Sequence, residues 1–487
     1  MEDNSGRRAC QGQSFNIRDV REIREEVLSL ARAVRDAGGR AMLNGGCVRD
    51  SLLTPPRETK DWDIEVYHLA PARLAEIIAN FGEVNVVGES FAVYKLGRHL
   101  DVSLPRRERK SGAGHRGFVV EGDPEMSFVE ACSRRDFTIN AILEDPLTGE
   151  IVDPFDGRED IERRLLRMVS RNTFPEDSLR VLRAAQFAAR FEFAVEDQTA
   201  QVCSGIDVTD LPRERIWGEL EKLLLRADQP SIGLDLLYKW GVVKQLFPEL
   251  QSLVGVPQEP EWHPEGNVDV HTMMVVNEAR KLIDGLDHPR QVAVMLGALC
   301  HDLGKPPTTE FLEGRWRSRG HDEAGVEPSV SLLERLGIYT LDGFDVREQV
   351  IQLVRYHLLP GEWYKNGQKG HPVGDGAFRR LARKVETDLL YRVSKADSLG
   401  RNPEWLPPEK RFGSEAQEWF IEKVRSLQVE RSAPKPLLMG RHLIDIGMQP
   451  GPDFKRVLDA VYEIQLDGRV ADLHEARLLA EELVRDN

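Results

Sequence analysis

The sequence predicts an α+β protein, a small mixed α/β head followed by a long helical remainder. Two patterns carry that expectation. Strand-like runs, "AMLNGG", "WDIEVYHL" and "FAVYKLGRHLDVSL", are confined to the region before Asp160. Beyond it, apolar residues return at steps of three and four, as in "DIERRLLRMV", "EDSLRVLRAAQFAARF" and "RERIWGELEKLLL", which is the spacing of one helix face. At 487 residues the chain is also too long for one core, so the two patterns belong to separate domains.

Taken in order, residues 1–15 read as a polar tail and 16–158 as the head. Within the head, Val20, Ile23, Val27, Leu30, Ala31 and Val34 mark a helix over Ile17–Ala37. "AMLNGG" is a short strand ending in a glycine turn, and "CVRDSLL" begins a helix. Leu74–Phe81 is helical between the two later strand-like runs. Residues 159–258 form a helical neck and body, 265–402 a His-rich helical domain, 403–432 a linker with a helix, and 433–487 a helical tail. The irregular stretches "GVPQEPEWHPEGN", "RNPEWLPPEKRFG" and "SAPKPLLMG" mark the linkers.

Composition excludes several classes. An apolar share of 41% and a charged share of 30% are those of a globular protein. No apolar stretch follows a basic start, and no run approaches the ~18 apolar residues of a membrane span. The five cysteines are scattered without metal or redox spacing, which predicts free, inert thiols in a reducing cytoplasm. A net charge of −15 argues against a protein that coats nucleic acid non-specifically. One local basic track remains, "PRRERKSGAGHRG", with Arg106, Arg107, Arg109, Lys110, His115 and Arg116. It is either a solvated loop or an RNA contact.

Chemistry enters with "KDWDIEV". Asp61 and Asp63 stand two apart in a strand-like run, so their carboxylates point to one side and can grip divalent ions. Mg²⁺ favours carboxylate oxygens together with substrate phosphates. In the preceding turn, "NGGCVRD", Gly45 and Gly46 let the backbone approach a triphosphate at a helix N-terminus. Arg49 could reach a phosphate there, and Asp50 braces the loop. Asp101, in "HLDVSL", is either a third carboxylate or a hydrogen-bonded strand-end residue.

"GGCVRD" followed by "DWD" resembles the first motif of the class II tRNA nucleotidyltransferase and bacterial poly(A) polymerase family, a branch of the polymerase-β nucleotidyltransferases. "RRDFTINA" (Arg134 to Ala141) is similar to the family's ribose-reading motif, "DPFDG" (Asp153 to Gly157) to its hinge, "EDSLRVLRAAQF" (Glu176 to Phe187) to its nucleotide-selecting helix, and "RERIWGELEKLL" to its last neck motif. The order is the family's. The resemblance implies a polymerase-β-like head, Mg²⁺ at Asp61 and Asp63, and ribose and phosphate contacts from Arg135, Asp136 and Asn140. Arg134 either belongs to that set or salt-bridges within the head. The implied reaction is transfer of C and A from CTP and ATP to the 3′ end of tRNA. The basic track stands where the family has a flexible element.

Asp177, Arg180 and Arg183 recur at three-residue steps, which places them on one helix face. Cytosine and adenine each offer an amino donor beside a ring-nitrogen acceptor, and an Asp acceptor beside an Arg donor complements both. Uracil and guanine reverse that order, leaving groups unsatisfied at ~1–3 kcal/mol each. In the family these positions contact the incoming base. Gln186 departs from the pattern, since many relatives carry Arg there, and it receives no role.

Further on, "VDVHTMMVVNEA", "LCHDLGK", "RGHDEAG", "VRYHLLPGEW" and "SKADSLGR" place imidazoles and carboxylates on helices, a donor set suited to a transition metal or Mg²⁺. The series resembles the HD phosphohydrolase superfamily. The resemblance implies that His271, His301, Asp302 and Asp397 are metal ligands, and that His321 and His357 hold a second metal or phosphate. The ion is left open among Mg²⁺, Mn²⁺, Ni²⁺ and Co²⁺. By analogy with class II enzymes carrying a fused HD domain, that domain removes phosphate or opens a 2′,3′-cyclic phosphate. The tail resembles the segment that holds the tRNA elbow in bacterial class II enzymes, or is an amphipathic cap. Alternatives are a poly(A) polymerase, a CC-only or A-only enzyme, and an HD nucleotide phosphohydrolase with an inactive head. No membrane partner is expected, and oligomeric state is not legible.

Overall fold

The structure, a computed structural model, describes residues 17–59, 61–82, 84–87, 93–97, 99–110 and 118–485. The chain divides into two compact units, Met1–Leu246 and Phe247–Asn487.

The first unit begins with the helix Ile17–Asp36, whose Val27, Leu30, Ala31 and Val34 are buried. The head sheet follows: β1 (Arg40–Asn44), β2 (Trp62–Tyr67), β3 (Val84–Val87), β4 (Val93–Leu96) and β5 (Leu100–Ser103). A hairpin of β6 (Arg106–Lys110) and β7 (Phe118–Gly122) forms its own two-stranded sheet, and β8 (Leu143–Glu144) and β9 (Ile151–Val152) return to the main one. Its order is β3-β4-β5-β2-β1-β8-β9, antiparallel except for the parallel β2/β5 pair. Alternation along β2 buries Ile64 and Val66 in the core, and so turns Asp63 and Glu65 to the opposite face.

Head and neck are joined tightly by the "DPFDG" stretch. Asp153 accepts from the backbone N–H of Gly157 and Arg158, at 2.8 and 2.9 Å, which starts the helix Gly157–Glu162. A Cβ on Gly157 would stand 2.2 Å from the carbonyl oxygen of Thr138, so only glycine lets this helix sit on the turn Thr138–Asn140. The neck helix Leu179–Phe191 packs on Arg213–Arg226 and Pro230–Lys239. Phe137, Phe174, Phe187 and Phe191 meet edge-on or stacked along its buried side.

The second unit is a helical bundle. Val268–Leu282, His288–Cys300, Val346–Tyr356 and Thr387–Leu399 pack against one another. A Cβ on Gly304 would lie 2.0 Å from the His321 carbonyl oxygen, so the absent side chain brings the His301–Asp302 turn against the helix His321–Ala324. The helices Gly440–Asp445, Pro452–Leu466 and Leu473–Arg485 close around a small core of their own, including Leu443, Val457 and Val461. Arg380 ties this tail to the bundle through Glu463 and Asp467, at 2.7 Å each.

The expected all-helical remainder also contains three short ribbons, pairing Leu165–Leu166 with Ala194–Val195, Thr309–Leu312 with Arg315–Ser318, and Thr340–Leu341 with Phe344–Asp345. No described helix is long and apolar enough to cross a membrane. Cys47, Cys132, Cys203 and Cys300 are buried free thiols, and burial pushes the last three up to about 12. Cys10 lies outside the described residues.

Candidate functional site

Two centres emerge, one in each unit. In the head, β2 and β5 run parallel with Asp63 level with Asp101, so the two carboxylates share one face. Burial, opposed by Arg135 and assisted by repulsion from Asp101 and Asp61, pushes the Asp63 carboxyl above its usual range. The donor set is all oxygen, which fits Mg²⁺. Asp101 meets Lys95 Nζ at 3.2 Å. Asp61 precedes the strand, is 83% exposed and lies 3.6 Å from His99 Nδ1. Asp63 and Asp101 line the adjoining cavity of about 470 Å³, and Asp61 is not among its lining residues.

The glycine bend lies beside Asp63. Gly45 has φ +66°, a backbone state that favours glycine. A Cβ there would stand 3.5 Å from Arg135 Nη1 and 3.8 Å from Asp63 Oδ2. Gly46 opens the helix Gly46–Leu52, and both glycines border a second cavity of about 330 Å³ that also contains Asp63. Arg49 corrects an expectation. It is buried, binds Asp50 Oδ1 through Nε and Nη2 at 2.8 and 2.7 Å and Asn140 Oδ1 at 2.6 Å, and faces the Phe191 ring at 4.6 Å. Those contacts make it a brace of the loop rather than a free phosphate hand.

The "RRDFTINA" residues are held in one network. Asp136 accepts from the Phe137 N–H at 2.8 Å and Asn140 Nδ2 at 3.0 Å, and pairs with Arg183 at 2.7 Å. Burial alone would raise its carboxyl, but Arg183 and these donors hold it below the usual range. Arg135 Nη2 lies 3.6 Å from Glu65 Oε1, and Tyr67 donates to the same carboxylate. Glu65, two residues beyond Asp63, was missed; the alternation that flagged Asp61 and Asp63 continues through it. Arg134 donates to the Arg106 carbonyl at 3.0 Å.

Asp177 also departs from expectation. It precedes the helix Leu179–Phe191, following the turn Phe174–Glu176, so it shares no helix face with Arg180 and Arg183. All three nevertheless line the larger cavity. Arg215 donates to Asp177 Oδ2 at 2.9 Å, while Arg180 donates to the carbonyls of Thr173 and Arg134, at 2.7 Å each. Gln186 is buried on the smaller cavity with its Nε2 unpartnered.

The basic track is not an open loop where it is described. Arg106–Lys110 is a strand, and Arg107 is committed to Asp123 and Glu130. Arg106 borders the larger cavity. Arg116 and His115 lie outside the described residues, as do the side chains of Arg109 and Lys110.

The second centre is built from buried histidines. His301, His321 and His357 each direct Nδ1 to the carbonyl three residues earlier, at 2.7, 2.7 and 2.6 Å. His271 Nδ1 meets Glu265 Oε1 at 2.7 Å. With Nδ1 so placed, His271 turns Nε2 toward Asp397, and His301 and His321 turn theirs toward Asp302, the arrangement of a metal-binding imidazole. Three trios fall within ligand reach among the described residues: His263 with Glu265 and His271, His271 with His301 and Asp397, and Asp302 with His321 and His357. Asp302 lies between the last two, 3.2 Å from His301 Nε2 and 3.4 Å from His321 Nε2. His301 Nε2 and Asp302 Oδ2 are buried without a hydrogen bond of good geometry. Such orphaned atoms in a nitrogen and oxygen donor set fit divalent metal ions.

Against the pull of burial, His301 and Lys305 hold Asp302 well below the carboxylate range, and a hydrogen bond with His271 does the same for Asp397. Burial pushes His357 down to about 4. Three contributors escaped the sequence reading. Lys305 Nζ sits 2.7 Å from Asp302, and Glu265 is shared between His271 and His263. His263 and Glu265 come from the Pro/Gly-rich stretch expected to be a linker. Their spacing from His271, in "HPEGNVDVH", was the available signal.

Comparison with known proteins adds an independent line. Residues 41–167 match the poly A polymerase head domain, 192–253 the probable RNA and SrmB-binding site of polymerase A, and 268–402 the HD domain. The multifunctional CCA protein of Xanthomonas campestris pv. campestris (strain B100) is 39% identical over 371 residues, covering 74% of this chain and 85% of that protein. The protein of that name from Stenotrophomonas maltophilia (strain R551-3) is 41% identical over 309 residues, 61% of this chain and 71% of its own. Among solved structures, the Bacillus stearothermophilus CCA-adding enzyme in complex with CTP aligns with a TM-score of 0.62 at 23% identity, over 95% of this chain and 98% of that one. The Thermotoga maritima CCA-adding enzyme complexed with tRNA gives 0.56 at 20%, over 97% of each. At these identities the structural likeness concerns the fold.

Proposed function

The chain belongs to the multifunctional CCA protein family, and on that premise we propose that its two centres perform different reactions on one substrate class, the 3′ end of tRNA. The protein is a tRNA nucleotidyltransferase that adds C and A from CTP and ATP without a nucleic-acid template, and it carries an HD domain. The observation that bears most weight is the level pair Asp63 and Asp101 beside the Gly45 bend, in a cavity shared with Asp177, Arg180 and Arg183.

In the transfer reaction the tRNA 3′-hydroxyl oxygen attacks the α-phosphorus in line. The bond to the β-phosphate oxygen breaks, pyrophosphate leaves, and the hydroxyl proton passes to solvent. Asp63, with Asp101 and the outlying Asp61, would hold Mg²⁺, while the second unit's ion would rest on His271, His301, Asp302 and Asp397, with His321 and His357 beside it. Divalent ions supply charge neutralisation on the triphosphate in the head and activation of water in the second unit. The remaining work falls to positioning. The Gly45–Gly46 backbone admits the triphosphate, Arg135, Asp136 and Asn140 take the ribose and phosphates, and Asp177 with Arg180 reads the base edge. For that reading Arg180 exchanges its carbonyl partners, and Asp177 its Arg215 contact, for cytosine or adenine.

In the second unit, water attacks the phosphorus of a phosphomonoester or 2′,3′-cyclic phosphate. The bond from phosphorus to a ribose oxygen breaks, and that oxygen takes up the proton. Free thiols at all four described cysteines support a cytoplasmic setting.

The test is incubation of the protein with tRNA transcripts ending before C, CC or A and each nucleoside triphosphate. Ordered addition that completes and stops at CCA is expected. Incorporation of ATP alone onto arbitrary RNA overturns the reading in favour of a poly(A) polymerase.

A further inference from the structure

The smaller of the two cavities that meet at Asp63, about 330 Å³, collects positive charge that the reaction steps above leave unassigned. Six basic side chains line it against three carboxylates. Four of the six are paired: Arg49 with Asp50, Arg135 with Glu65, Arg183 with Asp136 and Lys222 with Glu219. Arg190 and Arg226 form no ion pair among the described residues. The crowding is sharpest at Phe191, whose ring carries the guanidinium groups of Arg49, Arg57 and Arg190 at 4.6, 5.1 and 5.2 Å from its centroid. A ring face attracts a cation without cancelling its charge. Burial, together with Arg49, Arg226 and Arg57 nearby, pushes the Arg190 guanidinium down to about 10. Gln186, one turn earlier on the same helix face, is buried with its Nε2 donor unpartnered. Unpaired cations beside an unused donor suit an anion with several charges.

Placement selects which anion. The packed neck helices Leu179–Phe191 and Arg213–Arg226 line the cavity with Arg183, Gln186 and Arg190 from one and Glu219, Lys222 and Arg226 from the other. Arg183 lies 3.8 Å from Glu219, and Arg190 stands about 10 Å further along the helix axis. Of the two cavities, Asp177 and Arg180 line the larger alone, Arg190, Lys222 and Arg226 the smaller alone, and Asp63 and Arg135 border both. A nucleotide with its base at Asp177 and Arg180 and its α-phosphate at Asp63 therefore points its terminal phosphates toward Arg190.

We propose that Gln186, Arg190, Lys222 and Arg226 form a diphosphate seat, which holds the β- and γ-phosphates before transfer and the released pyrophosphate after it. The bond from the α-phosphorus to the bridging oxygen breaks with its electron pair kept by pyrophosphate, so the cations meet the charge that develops on the leaving group. In-line displacement sets the attacking hydroxyl opposite the leaving oxygen. The RNA 3′ end accordingly enters by the larger cavity, on the side of Asp101 and Arg106, and pyrophosphate departs by the smaller. The seat touches neither base nor ribose, and so serves CTP and ATP alike. The proposal rests on the transfer reaction given above.

The test compares CTP, CMP and pyrophosphate as ligands of the full-length protein with Mg²⁺ by calorimetry, and measures KM for CTP and ATP in extension of tRNA transcripts. Arg190→Gln, and Arg226→Gln at an exposed position, should each weaken CTP and pyrophosphate by about ten- to a hundredfold and leave CMP affinity level. KM for CTP and ATP should rise by the same factor, with the order of addition intact. Arg190→Lys should keep most of the affinity. Equal weakening of CTP and CMP, or unchanged CTP binding in both glutamine variants, overturns the proposal. Filter binding of tRNA separates the other source of phosphate: lost tRNA affinity with CTP binding intact assigns the arginines to the RNA backbone and also overturns the seat. A wild-type protein that neither binds CTP nor extends tRNA overturns the transfer reaction instead, and the pyrophosphate arm still decides whether the seat exists.

Discussion

The two centres handle positive charge in opposite ways. In the head, carboxylates stand on neighbouring strands at the wall of a cavity rich in arginine, and burial pushes Asp63 above its usual range. In the second unit, Asp302 and Asp397 are held well below theirs by imidazoles and Lys305. The difference teaches how each is completed. The second centre has its ligand atoms oriented in advance by backbone carbonyls and Glu265, so it can hold a metal unaided. The head offers few protein oxygens, and a Mg²⁺ ion there needs substrate phosphates to fill its shell.

The strongest way to break this comparison is to remove one carboxylate from each side. Asp63→Ala should lower C and A incorporation by about a thousandfold and spare phosphoester hydrolysis, whereas Asp302→Ala should do the reverse. Parallel assays on one protein sample check both, and loss of both activities in either variant contradicts the separation. A similar pair uses glycine. Gly157→Ala, whose Cβ meets the Thr138 carbonyl at 2.2 Å, should displace the turn bearing Asn140 and reduce transfer. Gly304→Ala, at 2.0 Å from the His321 carbonyl, should reduce hydrolysis. Each should also destabilise its own unit by about 1–3 kcal/mol, measured by denaturant unfolding.

A smaller effect concerns selection. Asp177→Ala should relax discrimination of C and A against U and G by about tenfold, the value of one unsatisfied polar group. Misincorporation assays with single nucleoside triphosphates read it. The smallest effect is on stability. Burial holds His263 and His357 down to about 4, below the ordinary 6.5, so the unfolded chain binds more protons in that interval. Stability of the metal-free second unit should therefore rise with pH between about 4 and 6.5 and level off above it. Thermal scans across that range check the sign.

How much of this was legible depended on whether a signal was local. The β1 strand, the glycine bend and the Asp63 run are periodic or conformational features of a few residues, and the HD-like residues recur in short helical phrases. What escaped came from distant pairing. Asp101 was named only as one of two alternatives, a third carboxylate or a strand-end residue, because its place beside Asp63 depends on β5 joining β2 in parallel, outside sequence order. Arg49 is immobilised by Phe187 and Phe191 from the neck. Asp177 left its helix because Phe174–Glu176 forms a separate turn containing Pro175, which local spacing did not register. His263 and Glu265 were hidden by proline and glycine, residues that mark irregular backbone without saying whether it is idle.

The central claim, one centre complete in the protein and one completed by nucleotide, is tested most directly by titrating Mn²⁺ into the metal-free full-length protein with and without CTP. Without nucleotide, tight binding should vanish in Asp302→Ala and persist in Asp63→Ala, and CTP should add a further site that Asp63→Ala removes. Loss of the nucleotide-free tight site in Asp63→Ala, with its retention in Asp302→Ala, would contradict the account.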